Sequence, residues 1–137
     1  MQLDERSEKR LEGVNVTLVS IVRRAAKRLP FSLFVVEGLR THERQAALYA
    51  QGRTKPGKKV TWTMNSKHLD GRAVDLAPLI DGAIDWNDLK KFDQIAKAMF
   101  EAAKEVGVVV RWGRDWNQNG SPGEKGESDS PHFELSD

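Results

Sequence analysis

Apolar residues Leu11, Val14, Leu18, Ile21, Val22, Ala25 and Leu29 recur mostly at intervals of three and four. That is the period of one helical face, so the spacing predicts an amphipathic helix from about Ser7 to Leu29. Arg23, Arg24, Lys27 and Arg28 fall largely off the stripe and read as a solvated face that suits the helix C-terminus, rather than as a nucleic-acid surface. Pro30 stops the helix. The run Leu33-Phe34-Val35-Val36 predicts a buried strand within Phe31 to Leu39, closed by Gly38, with Arg40 just past its end. Thr41 is placed to cap a helix from His42 to about Gln51, with Ala46, Ala47, Leu48 and Tyr49 turned inward and Gly52 as its C-cap.

Polar punctuation then takes over. Arg53 to Lys59, around Pro56-Gly57, predicts a basic loop, and Val60 to Thr63 an edge strand. Ala73-Val74-Asp75-Leu76-Ala77 alternates, with Val74 and Leu76 on one face and Asp75 on the other. A turn is expected from Pro78 to Gly82. A second long helix follows, capped by Asp85 and reaching about Val106, with Leu89, Phe92, Ile95, Ala96, Met99, Ala102 and Ala103 as its core stripe. Gly107 ends it, Val108 to Trp112 reads as a strand, Gly113 to Ser130 as a long loop, and His132 to Leu135 as a last strand.

At 137 residues, with 39% hydrophobic and 31% charged positions, the chain is read as one domain (1–137) able to bury roughly two-thirds of its unfolded surface. Net charge is 22 − 20 = +2, too small to argue for a nucleic-acid partner, although it favours mild attraction to anionic polymers such as a cell envelope. The absence of cysteine excludes thiolate catalysis and Cys-type metal sites, leaving nitrogen and oxygen ligands. The charged start Met1-Gln2-Leu3-Asp4-Glu5-Arg6 lacks a following apolar run, so no secretory signal is expected, nor any membrane span.

Two of the three histidines lie beside carboxylates and turns. His68 and Asp75 flank Gly71 in Ser66 to Asp75, and His132 follows Asp129-Ser130-Pro131. A catalytic zinc site needs three protein ligands and an open fourth position, which His68, Asp75 and His132 can supply. Such a site lowers the pKa of water to about 7 and polarises a carbonyl, the chemistry of hydrolysis. Asp129, three residues before His132, is the candidate general base. Arg40 either offers its guanidinium to a substrate carboxylate or oxyanion, or forms a structural pair with Glu37. Ser66 either contacts substrate or caps its own turn. His42-Glu43 is no zincin motif, because Ala46 stands where the second histidine belongs. From these residues alone, satisfied turn histidines remain as open a reading as zinc.

Gly38-Leu39-Arg40-Thr41, Gln45, Ser66-x-His68-x-x-Gly71-x-Ala73-x-Asp75, Trp112-Gly113-x-Asp115-Trp116 and Asp129-x-x-His132, in that order, resemble the zinc peptidases related to D-alanyl-D-alanine carboxypeptidases (VanY-type). Most similar in arrangement are the bacteriophage endolysins that are L-alanyl-D-glutamate endopeptidases. The resemblance runs from about Val14 to Leu135, with no separate wall-binding domain. It implies an α+β fold of the hedgehog/DD-peptidase kind, a small antiparallel sheet carrying the zinc site and two or three main helices packed outside. It further implies His68, Asp75 and His132 as zinc ligands, Asp129 as the catalytic carboxylate, and substrate contact by Arg40, Gln45 and Ser66. The substrate implied is a peptidoglycan stem peptide, with no nucleic-acid or membrane partner and a monomeric enzyme that waits in the host cytoplasm until the inner membrane opens. Many relatives carry glutamate where this chain has Asp129, while the phage peptidases also use aspartate. A D-alanyl-D-alanine carboxypeptidase and a non-catalytic zinc-containing wall-binding module are the alternatives; Asp129 argues against the second.

Asp115-x-Asn117-x-Asn119-Gly120 repeats the opening of a calcium-binding loop, although Gly126 occupies the place of the usual terminal glutamate. Local turns made by these side chains with their own backbone are the competing reading.

Overall fold

The computed structural model describes residues 3–40, 46–47, 49–51, 71–113 and 131–135. Helices α1 (Glu5–Arg10) and α2 (Val16–Arg28) lead into strand β1 (Ser32–Glu37); β2 (Ala73–Leu79), helix α3 (Leu89–Val106), β3 (Val110–Trp112) and β4 (His132–Leu135) complete the described elements. The four strands form one sheet in the order β1-β2-β4-β3, antiparallel at every pairing. This is the expected α+β architecture, with α2 and α3 packed on each other and α3 also on the sheet.

The single helix expected from Ser7 to Leu29 is two helices. Gly13 takes the left-handed region at φ 81, and Asn15 caps α2 by accepting from the Thr17 and Leu18 amides. The hydrophobic stripe continues across the break because Leu11 and Val14 are buried in the same core as Leu18, Ile21, Val22 and Ala25. Periodicity reports which face is buried, not whether the backbone between turns is continuous. The link has a use, since the Asn15 amide donates to the Gly71 carbonyl at 2.8 Å.

Helix α1 covers the outer edge of β1. The Val35 amide donates to Ser7 Oγ at 3.0 Å and its carbonyl accepts from Arg10 Nη1 at 3.1 Å. Arg6 and Arg10 lie over the Phe34 ring, 4.9 and 5.0 Å from its centroid. An open strand edge is thereby closed to other chains.

Pro78, expected in a turn, lies within β2, opposite Leu33. Because the Val35 backbone groups point outward to α1, the Val35–Leu76 pair is not hydrogen-bonded across the strands, and by alternation neither is Leu33–Pro78. The register with β4 runs only from Ala73 to Asp75, so the missing N–H costs no ladder bond on either side. The reversal comes later, at Asp81 and Gly82, both with positive φ, closed by the Ile80–Ala83 bridge.

Asp88 rather than Asp85 caps the second long helix, accepting from the Lys91 amide at 3.3 Å. The Lys91 side chain, hydrogen-bonded to it, holds the Asp88 carboxyl below its ordinary range, so the cap is charged at neutral pH. Asp85 instead accepts from the Asn87 amide one turn earlier. Of the predicted stripe, all but the exposed Leu89 is buried. Gly107 ends α3 with φ 79. Strand β3 begins at Val110, two residues later than expected, while β4 has the predicted bounds. Residues 46–47 and 49–50 are helical as expected, but Ala46 and Ala47 are exposed: small side chains on a helix do not by themselves specify the inward face. The expected strand Val60 to Thr63 and the loop Arg53 to Lys59 lie outside the described residues.

Gly71 is the residue whose conformation carries most consequence. Its φ is 73, and a Cβ there would stand 2.5 Å from the Gly13 carbonyl oxygen, a backbone atom that cannot swing aside. Gly71→Ala is expected to lower stability by about 1–3 kcal/mol, measured as a shift in the urea unfolding midpoint at unchanged slope.

Candidate active site

One face of the sheet belongs to the core and the other carries a cluster of charged and polar side chains. Val35, Val74, Leu76, Val110, Trp112, Phe133 and Leu135 join the buried cluster, and Trp112 stacks on Phe133 with centroids 6.1 Å apart and planes 5° from parallel. Alternation sends the intervening residues to the opposite face. There the register sets Asp75 of β2 opposite His132 of β4, and Glu134 of β4 between Ala73 of β2 and Arg111 of β3.

Glu37 joins this face through a bulge. Val35 pairs with Leu76 and Glu37 with Asp75, so two β1 residues stand against one on β2. Plain alternation would have put Glu37 on the core side with Val35; the extra residue re-aims it beside Asp75.

The side chains assembled this way form one connected polar network. His132 Nδ1 lies 3.2 Å from Asp75 Oδ1, and its Nε2 lies 2.9 Å from Glu134 Oε1. Arg40 donates from Nε to Glu37 Oε1 at 2.9 Å and from Nη2 to Glu37 Oε2 at 2.8 Å, and Nη2 is also 3.8 Å from Asp75 Oδ2. Arg111 Nη1 is 3.7 Å from Glu134 Oε2. Arg40, His132 and Glu134 are each 7–8% exposed. Charges this deep are tolerated only when paired, and here three carboxylates face two guanidinium groups and an imidazole.

The donor set fits a divalent cation. In the tautomer whose Nε2–H is given to Glu134, a neutral His132 presents the Nδ1 electron pair toward a carboxylate oxygen of Asp75. Two electron-pair donors facing each other require a proton or a cation between them. Nitrogen and oxygen ligands at about 2.0–2.2 Å in a tetrahedral arrangement sit about 3.3 Å apart, close to the observed 3.2 Å. Among the described residues no third ligating group completes the set.

Of the expected site residues, Asp75, His132 and Arg40 are brought together. His68, Asp129, Gln45 and Ser66 lie outside the described residues, as do Asp115, Asn117 and Asn119, and calcium has no support from the residues that are described. The pairing of Arg40 with Glu37, one of the two readings of that arginine, is present. Sequence reasoning missed Glu134 and Arg111. Both carried a signal: Glu134 is two positions from His132 on a strand and so shares its face, and Arg111 is a single charge inside an apolar β-branched run.

Replacing Glu37 by alanine leaves the buried Arg40 without its bidentate partner. The expected loss is about 3 kcal/mol, the lower end of the range for breaking a buried pair because Asp75 remains nearby. A double-mutant cycle with Arg40→Met in urea checks it: the double variant is expected to be more stable than Glu37→Ala alone.

The chain is similar to proteins of known family and fold. Residues 1–136 match the family model described as phage L-alanyl-D-glutamate peptidase. The L-alanyl-D-glutamate peptidase of Escherichia phage T5 is 39% identical over 135 residues, covering 94% of this chain and 93% of that protein. The peptidoglycan L-alanyl-D-glutamate endopeptidase CwlK of Bacillus subtilis is 34% identical over 121 residues, 83% of this chain and 66% of that one. Among solved structures, the Serratia marcescens L-Ala D-Glu endopeptidase ChiX superposes with a TM-score of 0.80 at 33% identity, covering 99% of this chain and 90% of that chain. The D,D-dipeptidase VanXYg shares the fold, with a TM-score of 0.57 at 22% identity over 89% of this chain and 50% of that one. On the family match and the T5 relative together, the chain belongs to the phage L-alanyl-D-glutamate peptidase family.

Proposed function

We propose that this protein is a zinc endopeptidase that hydrolyses the L-alanyl-D-glutamate bond of peptidoglycan stem peptides, with His68, Asp75 and His132 as the metal ligands and Asp129 as the general base. The observation that carries the reading is the approach of Asp75 Oδ1 to His132 Nδ1, 3.2 Å apart across β2 and β4, in a chain whose relatives are named for cutting that bond. The proposed place of action is the host wall, once the inner membrane has been opened. Among the described residues no helix is long and apolar enough to cross a membrane.

When bound, zinc supplies a nucleophile at neutral pH and Lewis-acid polarisation of the scissile carbonyl. The protein's own part is positional and acid–base. Asp75 and His132 are held by a strand register rather than by loops, which limits how far either ligand can drift. Asp129 takes the proton from the attacking water and passes it to the leaving amine as the C–N bond breaks. Arg40, anchored by Glu37, contacts the substrate together with Gln45 and Ser66, and its charge is placed to stabilise developing negative charge on the substrate.

Mass spectrometry of digested muropeptides tests the reading. Cleavage between L-alanine and D-glutamate is expected; release of terminal D-alanine makes the chain a carboxypeptidase instead, and no product makes it a binding module. Asp129→Asn is expected to lower turnover by about 10²–10⁴ with zinc content unchanged by elemental analysis, whereas His132→Ala is expected to lose both. Dialysis against a chelator is expected to abolish cleavage and added zinc to restore it.

A further inference from the structure

The carboxylate on the far edge of the His132 ring has no place in the reaction described above, yet it is among the most enclosed charges of the described residues. Glu134 is 8% exposed, its Oε1 is 2.9 Å from His132 Nε2, and its Oε2 is 3.7 Å from Arg111 Nη1. Nε2 and Nδ1 lie on opposite edges of the imidazole, so Glu134 faces away from the position between Nδ1 and Asp75. We propose that Glu134, anchored by Arg111, is a positioning residue that holds the His132 ring with Nε2–H engaged and presents the Nδ1 electron pair to the metal. This rests on the reading of His132 as a ligand.

Three features of the sheet support it. Register places Ala73, Glu134 and Arg111 side by side on β2, β4 and β3, so the side chain opposite Glu134 on β2 is only a methyl group. Arg111 comes from β3, across β4 from β2, and its Nη1 lies 3.7 Å from Glu134 Oε2, the oxygen other than the one facing His132. His132 is itself 7% exposed, so water cannot freely supply an alternative partner to Nε2. A neutral imidazole donates from only one nitrogen, and a partner that accepts at Nε2 leaves Nδ1 as the ligating atom. A carboxylate accepting that proton also makes the ring a stronger electron-pair donor. Two residues apart on one strand, ligand and positioner share a face by construction, so the backbone that places one places the other.

The test uses the full chain labelled with ¹⁵N-histidine and loaded with zinc. Long-range ¹H–¹⁵N spectra are expected to show His132 protonated at Nε2 and metallated at Nδ1; metallation at Nε2, or a proton on Nδ1, overturns the proposal. Zinc affinity, measured by competition with a chromophoric chelator, is expected to fall about 10–100-fold in Glu134→Leu and by much less in Glu134→Gln, whose amide oxygen still accepts from Nε2–H. Equal affinity for Glu134→Leu and the unsubstituted protein overturns the proposal, and so does an equal loss in the Leu and Gln variants. Should Glu134→Leu fail to fold, the spectra of the unsubstituted protein still decide. Failure of the broader reading looks different: zinc bound through His132 Nδ1 with no muropeptide cleaved sinks the endopeptidase assignment and leaves this proposal standing.

Discussion

The antiparallel register between β2 and β4 is the constraint on which the site depends. It puts Asp75 opposite His132 and, two residues away, Ala73 opposite Glu134. A slip of one residue would exchange the faces, turning Asp75 and His132 into the core and Val74 and Phe133 out of it. Hydrophobic burial therefore enforces the polar geometry: Val74 and Phe133 are fully buried, and their transfer to solvent would cost about 1.5–3 kcal/mol each. The polar face is specified by what lies beneath it.

Features that look like irregularities serve the same register. The bulge in β1 brings Glu37 beside Asp75, so that Arg40 is gripped at two points and set within 3.8 Å of the second Asp75 oxygen. The break between α1 and α2 supplies the Asn15 amide that fixes Gly71 at 2.8 Å, two residues before β2 begins. Helix α1 closes the edge of β1 by accepting from and donating to Val35. Each device acts on the backbone entering or flanking the strand that carries Asp75.

Electrostatics explains why so many charges are enclosed in so small a sheet. The Asp75 carboxylate, with one oxygen 3.2 Å from His132 Nδ1 and the other 3.8 Å from Arg40 Nη2, is held in orientation from both ends, and the His132 imidazole between Asp75 and Glu134 is likewise held from both edges. Such networks cost desolvation and contribute modestly to stability; their return is orientation. Membership of the phage L-alanyl-D-glutamate peptidase family accounts for why a small domain carries that cost.

Much of this was legible in the chain itself. Alternation in Ala73 to Ala77 already separated Asp75 from Val74 and Leu76, the last strand was legible to the residue, and the ordered motifs named the family. These signals are local: side-chain period, caps, turn residues and short spacings. What needed the tertiary structure was everything set by a neighbouring strand or a distant carbonyl. The bulge that re-aims Glu37 exists only against β2, Pro78 is tolerated in a strand only because its pairing needs no N–H, and the helix break is fixed by a contact with Gly71. Glu134 and Arg111 became partners because two strands far apart in sequence lie in register, and no pattern within either strand contains that information.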